Sequence, residues 1–164
     1  MSIRGLPAFS RESVIMLVVS LALVAGVAAV GAYAVPGAWY ATLAKPSWNP
    51  PDWVFAPVWT VLYLFMAVAA WLVWRERPVR RIGFPIFCYL LQLLLNGAWT
   101  WLFFGLKRID LALIDLVALW LVLLVTTMQF GQVRRPAGAL LLPCLLWVTF
   151  AGALNLALLS LNRG

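Results

Sequence analysis

Five long apolar runs alternate along this chain with short connectors that hold nearly all of its charged residues. A helix that crosses the hydrocarbon core of a bilayer needs about 20 mainly apolar residues. Each run approaches or exceeds that length, so the pattern predicts transmembrane helices over residues 13–35, 57–74, 82–106, 109–130 and 137–161. The sequence therefore predicts an all-α integral membrane bundle of five transmembrane helices that forms a single domain over residues 1–164.

The connector between the first two predicted helices, residues 36–56, has a different character from the other connectors. Residues 39–63 hold four of the ten tryptophans and four of the ten prolines. Prolines at 46, 50 and 51 remove backbone donors and push the preceding residues towards extended conformations, so no helix is expected before about Pro57. Indoles favour sites where the ring is in an apolar medium and the N–H is near water. We therefore interpret this segment as a lid over a pocket, with Trp48 and Trp53 belonging to the lid itself.

Composition supports the membrane assignment. The chain is 65% hydrophobic and 10% charged, whereas a soluble domain is about half apolar and a quarter charged. Histidine is absent, which removes the commonest metal ligand and general base. We expect no metal site and no built-in cofactor. Cys88 and Cys144 both lie in apolar runs, which favours packing residues over a disulfide.

The net charge of +7 lies in the connectors. Determinants of membrane topology and anionic lipid headgroups explain it more simply than nucleic acid, so membrane lipid is the expected partner and nucleic acid is not. Five spans place the termini on opposite faces. The N-terminal face carries eight basic residues and the other face four. The eight are Arg4, Arg11, Arg75, Arg77, Arg80, Arg81, Arg134 and Arg135. This bias predicts a cytoplasmic N-terminus, with the lid and the C-terminus outside, and the bacterial inner membrane is the expected location.

The first apolar run is rich in alanine and glycine at helical i, i+4 spacing. Small residues at this spacing let helix backbones approach closely, either within the bundle or at a dimer face. The run also ends in Ala32-Tyr33-Ala34, which fits a signal-peptide cleavage site. Its apolar length exceeds that of a usual signal core, so a retained helix is the favoured interpretation.

Polar residues inside the runs share helix faces with aromatic residues. A polar group within the membrane needs a partner or a wet cavity. The stripes are Gln92, Asn96, Trp99 and Phe103 in the third run, Trp147, Ala151 and Asn155 in the fifth, and Trp59 and Tyr63 in the second. These stripes predict either a ligand pocket or interhelical hydrogen bonds with no ligand. In the fourth run, Asp110 lies near a helix N-terminus, and Asp115 is predicted to have a structural role.

The order of these residues carries a family resemblance. The run WYATLAKPSWNPPDWVFAPVWTVLY, from Trp39 to Tyr63, resembles the tryptophan-rich sensory protein family, which includes the mitochondrial translocator protein or peripheral benzodiazepine receptor. The likeness continues at Gln92, Asn96 and Trp99, at Phe103-Phe104-Gly105, at Asp115-Leu116, and at Pro143, Trp147, Ala151 and Asn155. It covers nearly the whole chain from about residue 25, and it implies a bundle of five helices.

The resemblance implies a pocket between the helices, beneath the first loop, that binds porphyrins such as protoporphyrin IX. The matching positions are Tyr40, Pro50, Trp59, Asn96, Trp147 and Ala151. A homodimer is also expected. Vertebrate relatives carry a cholesterol-recognition pattern in the last helix that needs a tyrosine and then a basic residue. Here Leu156 replaces the tyrosine and no basic residue follows before Arg163, so a bacterial member is favoured.

Three functions remain open at this point. The first is a membrane receptor or sensor that binds porphyrin and serves transport or stress regulation, although no internal repeat indicates a transporter. The second is a slow, photo-oxidative porphyrin-degrading enzyme in which Trp59 and Trp147 would be the reacting residues. The third is a structural or partner-binding membrane protein whose pocket is incidental.

Overall fold

The computed structural model describes residues 10–33 and 37–162, and helices dominate these ranges. The helices are α1 (Arg11–Tyr33), α2 (Ala38–Thr42), α3 (Phe55–Trp74), α4 (Gly83–Thr100), α5 (Ile109–Val133) and α6 (Arg135–Leu161). A 3-10 turn, Asp52–Val54, leads into α3, and a π-helical turn, Trp101–Gly105, ends α4. Five of the helices are long and apolar enough to cross a membrane. The predicted all-α bundle of five transmembrane helices is confirmed.

The long helices differ from the predicted spans mainly at their ends. Helix α1 begins at Arg11, two residues before the predicted start, and residues 34 and 35 lie outside the described ranges. Helix α5 continues three residues past 130 and α6 starts two residues before 137. Polar side chains are tolerated at membrane helix ends because they reach the headgroup region. The helices therefore extend into the polar residues that flank these apolar runs, and a prediction from hydropathy alone made them too short at these ends.

The connector after α1 is not wholly irregular. Helix α2, Ala38–Thr42, forms within it, so the prediction that no helix precedes about Pro57 is wrong. Residues 38–42 contain no proline, whereas Pro46, Pro50 and Pro51 all lie in the non-helical stretch that follows. Proline restricts its own position and the one before it, so it leaves the five residues of α2 free to form a helix. We call the described residues 37–54 the α1–α3 loop.

Close helix packing builds the bundle. Helix α5 packs against α4 and α6, while α3 packs against α1 and α6. At the α5–α6 contact, a Cβ atom on Gly138 would lie 2.7 Å from the Cα atom of Gly131. Only glycine permits that approach, as expected for membrane helices that associate through small residues. Cys88 and Cys144 are buried free thiols, in line with the packing role predicted for them.

Polar contacts identify the two ends of the bundle. At one end Arg77 pairs with Glu12 and Arg134 pairs with Glu76. At the other end the side chain of Asn162 forms two hydrogen bonds with the backbone of Ala44, at 2.9 and 3.0 Å. The end of α6 therefore lies beside the α1–α3 loop and opposite the start of α1.

Candidate functional site

A cavity of about 390 Å³ lies among α1, α3, α4 and α6, next to the α1–α3 loop. Its aromatic lining consists of Tyr40, Phe55, Trp59, Tyr63, Trp99, Phe103, Phe104 and Trp147. Its polar lining consists of Asp52, Thr60, Asn96, Thr100 and Asn155. The remaining lining is small or aliphatic: Ala28, Gly31, Ala56, Ala151, Leu154 and Leu158. A concave, mainly apolar site with a few polar groups is the usual form of a small-molecule site.

The cavity brings together most of the sequence-predicted site residues. Tyr40, Trp59, Asn96, Trp147 and Ala151 all belong to its lining. They come from α2, α3, α4 and α6, so only the folded bundle assembles them. Their role in binding a ligand stays a prediction.

Three other predicted residues lie outside the lining. Pro50 is absent from the wall, and its carbonyl oxygen accepts a 2.9 Å hydrogen bond from Nδ2 of Asn49. Trp48 places its ring edge against Phe150, with ring centroids 5.8 Å apart. Trp53 is 74% exposed and is the most solvent-accessible large apolar side chain of the described residues. Trp48 thus joins the loop to α6, whereas Trp53 points away from the bundle.

Pairs of aromatic rings form the walls. The rings of Trp59 and Tyr63 have centroids 5.5 Å apart on α3. Trp147 on α6 meets the ring of Phe55 on α3 edge-on, with ring centroids 5.9 Å apart. Such contacts add roughly 0.5–1.5 kcal/mol per pair beyond the burial of their area. These ring contacts fix the orientation of the flat apolar surfaces in the ligand-free protein.

Two buried asparagines set the hydrogen-bonding character of the inner wall. In Asn155, Nδ2 donates to the Ile109 carbonyl at 2.9 Å and Oδ1 accepts from the Trp99 indole at 3.3 Å, so both ends of the amide have a partner. In Asn96, Oδ1 accepts a 2.7 Å hydrogen bond from the Tyr63 hydroxyl. Its Nδ2 is buried with no hydrogen-bond partner in the part of the chain that the structure describes. Among the side-chain oxygen and nitrogen atoms of these two asparagines, the one without a partner in the described residues is therefore a donor.

The loop end of the cavity is more polar. The Tyr40 hydroxyl donates to Oδ1 of Asn49 at 3.5 Å, and the ammonium group of Lys45 lies 4.0 Å from the centroid of the Tyr40 ring. Burial raises the pKa of Tyr40 above its ordinary value, and the nearby carboxylate of Asp52 raises it further. The phenol is consequently neutral at physiological pH and can act as a hydrogen-bond donor there.

The π-helical turn at the end of α4 places two consecutive phenylalanines on one surface. Phe103 and Phe104 both line the cavity, and both rings contact Tyr40, at centroid distances of 6.1 and 5.6 Å. Consecutive residues of a regular α-helix point about 100° apart. Both residues nevertheless continue the helical face of Asn96, because they lie at i+7 and i+8 from it. π-turns of this kind are frequent at functional sites.

The sequence of this chain matches that of a known protein family. The sequence model of the TspO/MBR family matches residues 15–161. The chain belongs to the TspO/MBR family. The matched region contains all five long helices almost completely, together with every residue that lines the cavity. The family resemblance inferred from the tryptophan-rich segment is confirmed.

Similar proteins come from both bacteria and animals. The tryptophan-rich protein TspO of Chlorobaculum tepidum is 44% identical over 132 residues, which cover 77% of this chain and 82% of that protein. The tryptophan-rich sensory protein of Cereibacter sphaeroides is 41% identical and covers 82% of this chain and 84% of its own length. The translocator protein of Bos taurus is 42% identical, with 71% and 70% covered. The chain is therefore an integral multi-pass membrane protein of the TspO/MBR family.

Several lining residues of this TspO/MBR chain were not predicted as site residues. Tyr63, Trp99, Phe103 and Asn155 belong to the polar–aromatic stripes described above, so their spacing already carried the signal. Ala28 and Gly31, three residues apart on α1, leave room at the cavity edge. The pattern of small residues in the first run predicted close packing on α1, but it did not predict that these residues line a cavity.

Two polar residues of the spans lie away from the cavity. Gln92 shares the predicted stripe with Asn96 but is buried against Met66, with Nε2 lying 3.7 Å from the sulfur atom. Asp115 has a buried Oδ2 with no hydrogen-bond partner among the described residues, and the predicted structural role is not visible as a contact. Asp110 forms a bidentate pair with Arg108 at 2.9 and 2.6 Å, at the loop end of the bundle. Within the described ranges, no group of three or more His, Cys, Asp or Glu side chains is placed to hold a metal.

Proposed function

We propose that this chain is a membrane receptor or sensor that binds a porphyrin, such as protoporphyrin IX, in the cavity between α1, α3, α4 and α6. The observation that carries the proposal is the combination of aromatic walls with a buried amide nitrogen, Nδ2 of Asn96, that has no hydrogen-bond partner among the described residues. Membership of a family that includes proteins named as sensory and translocator proteins supports a receptor or sensor role.

The chemistry of a porphyrin matches these walls. Its flat, apolar macrocycle can stack on indole and phenol rings or meet them edge-on, and Trp59 and Trp147 offer such rings from two neighbouring helices, α3 and α6. Its carboxylates are acceptors without donors, so one of them can accept from Asn96 Nδ2. Burying that N–H without a partner costs roughly 1–3 kcal/mol, and a ligand that accepts from it regains this free energy.

Titration of the purified protein with protoporphyrin IX in the dark tests the proposal, with the Soret band of the porphyrin as the signal. We expect saturable binding that weakens in Trp59→Phe, Asn96→Ala and Trp147→Phe. Trp53→Phe is the matched control, because Trp53 is exposed and outside the cavity lining. Equal weakening in the control would show that tryptophan content, rather than this cavity, governs binding. Absence of saturable binding would favour the third function, a structural or partner-binding protein.

A second candidate function is light-dependent degradation of the bound porphyrin. It is favoured by the position of Trp59 and Trp147, the two candidate reacting residues, which both face the cavity. Dioxygen would be the oxidant and the porphyrin the species oxidised. This function predicts loss of porphyrin absorbance that needs both light and oxygen and that slows in Trp59→Phe. Loss at the same rate with free porphyrin in detergent would exclude it.

We also propose a membrane arrangement with the arginine-rich end in the cytoplasm, the α1–α3 loop and the C-terminus outside, and a homodimer in the bacterial inner membrane. The charge bias between the two ends supports this orientation. Labelling of single cysteines in intact cells, introduced at Arg135 and at Lys107, tests it. We expect an impermeant reagent to label only the cysteine at 107, and the opposite pattern would reverse the orientation.

A further inference from the structure

The two ends of the bundle differ sharply in charge. Among the described residues, the end where α1 begins carries seven arginines against two glutamates. The arginines are Arg11, Arg75, Arg77, Arg80, Arg81, Arg134 and Arg135. The loop end is nearly balanced, because Lys45, Lys107 and Arg108 face Asp52 and Asp110. The arginine-rich end therefore needs negative counter-charge that the described chain does not supply.

Two cross-links join the basic turns at this end. The α3–α4 turn consists of residues 75–82, and the α5–α6 turn consists of residues 132–135, where α5 ends and α6 begins. A 3.0 Å hydrogen bond from Arg80 Nη1 to the carbonyl oxygen of Gln132 connects the two turns. They are connected again by the 3.2 Å ion pair of Arg134 with Glu76. The turns are consequently held side by side, and Arg81 and Arg135 directly follow the two arginines that form these contacts.

Both glutamates at this end are already paired. Glu12 pairs with Arg77, and Glu76 pairs with Arg134. Arg81 and Arg135, one on each joined turn, are exposed and form no ion pair or hydrogen bond with the described residues. Arg135 also begins α6, whose N-terminus has no side-chain cap. The positive end of that helix dipole adds to the attraction for an anion.

Two tryptophans at the end of α3 contact arginines of this surface. Trp71 and Trp74 lie in the last turn of α3, and the guanidinium groups of Arg75 and Arg77 lie 4.9 and 5.0 Å from their rings. These arginines lie just beyond the end of a helix that is long enough to cross a membrane. We therefore expect this surface at the level of the lipid headgroups.

We propose that the joined α3–α4 and α5–α6 turns form a binding site for an anionic phospholipid, with Arg81 and Arg135 holding its phosphate. Guanidinium groups match phosphate oxygens in geometry and charge. A zwitterionic lipid binds less well because its own cationic group opposes the arginines. The site is independent of the cavity and of its ligand.

Native mass spectrometry of the full chain in detergent tests this proposal, with phosphatidylglycerol and phosphatidylcholine as probes. We expect retained phosphatidylglycerol in preference to phosphatidylcholine. Each arginine near an anionic surface contributes about fivefold in affinity, so Arg81→Gln with Arg135→Gln should weaken phosphatidylglycerol binding on the order of 25-fold. Both side chains are exposed, so the double variant is expected to fold. Lys107→Gln, an exposed cation at the other end of the bundle, is the matched control.

Every other outcome overturns the proposal. Equal retention of the two lipids would show that charge does not select the lipid. Equal loss in the double variant and in Lys107→Gln would show a diffuse electrostatic effect rather than a site. Displacement of phosphatidylglycerol by the same concentration of inorganic phosphate would show a simple anion site. An unchanged double variant would place the lipid elsewhere. Protoporphyrin binding is measured separately, so its failure would leave this result intact.

Discussion

The hydroxyl of Tyr63 on α3 lies 2.7 Å from Oδ1 of Asn96 on α4 and fixes the orientation of that amide. Asn96 is 3% exposed, and its Nδ2 is the amide function left unpaired by the described residues. Because the hydroxyl donates to the carbonyl oxygen, Nδ2 is the part of the amide that we propose donates to the ligand. Tyr63 therefore determines which end of the amide has no partner.

Tyr63→Phe removes that constraint and keeps the ring. We expect protoporphyrin IX to bind roughly 3- to 10-fold more weakly, since one hydrogen bond contributes about 0.5–1.5 kcal/mol net. The same titration of Asn96→Ala and of the double variant completes a thermodynamic cycle. Because Tyr63 acts through Asn96, the double variant should bind like Asn96→Ala alone. Full additivity of the two losses would contradict this coupling.

Asn155→Ala tests the second asparagine as a structural group. Asn155 is 2% exposed and joins the Trp99 indole to the backbone carbonyl of Ile109. Its loss leaves the part-buried indole N–H of Trp99 without this partner and removes one of the two acceptor contacts of the Ile109 carbonyl, which should destabilise the fold by about 1–3 kcal/mol. Thermal unfolding in detergent, followed by circular dichroism, measures the change. Ser160→Ala, which removes an exposed side-chain hydrogen bond on the same helix, should change little.

Asn162→Ala tests the attachment of the α1–α3 loop to the end of α6. The two side-chain hydrogen bonds to Ala44, at 3.0 and 2.9 Å, join residues far apart in the sequence. Without them, the amide of Ala44 should exchange its hydrogen faster, as measured by mass spectrometry. Protection at Ile86, in α4 near the opposite end, should stay the same. Unchanged exchange at Ala44 would show that other contacts, such as that of Trp48 with Phe150, already hold the loop.

The raised pKa of Tyr40 predicts a response at alkaline pH. The folded protein favours the protonated phenol, so its contribution to stability is present below the ordinary pKa of 10.0 and is lost as the pH rises through the higher folded value. Tyrosinate absorbance, taken as the difference between the parent and Tyr40→Phe, reports this titration. Asp52→Asn should lower the pKa of Tyr40, because the carboxylate is the second cause of the shift after burial. An unmoved titration would exclude the influence of Asp52.

The five long helices were predictable because each apolar run is long enough to cross a bilayer and each connector is charged. The polar–aromatic stripes also predicted the inner wall, since residues such as Asn96 and Trp99 must face the same side of a regular helix. Neither inference needed the tertiary structure. Both rest on helical periodicity and on the free energy of placing polar groups in lipid.

Three features were beyond the sequence pattern. Helix α2 forms in a segment whose prolines favoured irregular structure, and it carries Tyr40 to the cavity. The π-turn over Trp101–Gly105 was not predicted, although Phe103 and Phe104 lie at i+7 and i+8 from Asn96 and so share its helical face. Pro50 lies outside the cavity lining although the resemblance included it among the pocket residues. The position of a loop residue depends on tertiary contacts, which the spacing of residues does not encode.

Filling the cavity tests the central claim most directly. Ala151 lines the cavity, whereas Ala153 is exposed on the same helix. In Ala151→Leu the added carbon atoms should occupy space that the ligand needs, so saturable binding of protoporphyrin IX in the dark should fall at least tenfold, the factor that about 1.4 kcal/mol gives. Ala153→Leu should bind like the parent. Parent-like binding in Ala151→Leu, in a sample that unfolds at the parent's temperature, would contradict a porphyrin site in this cavity.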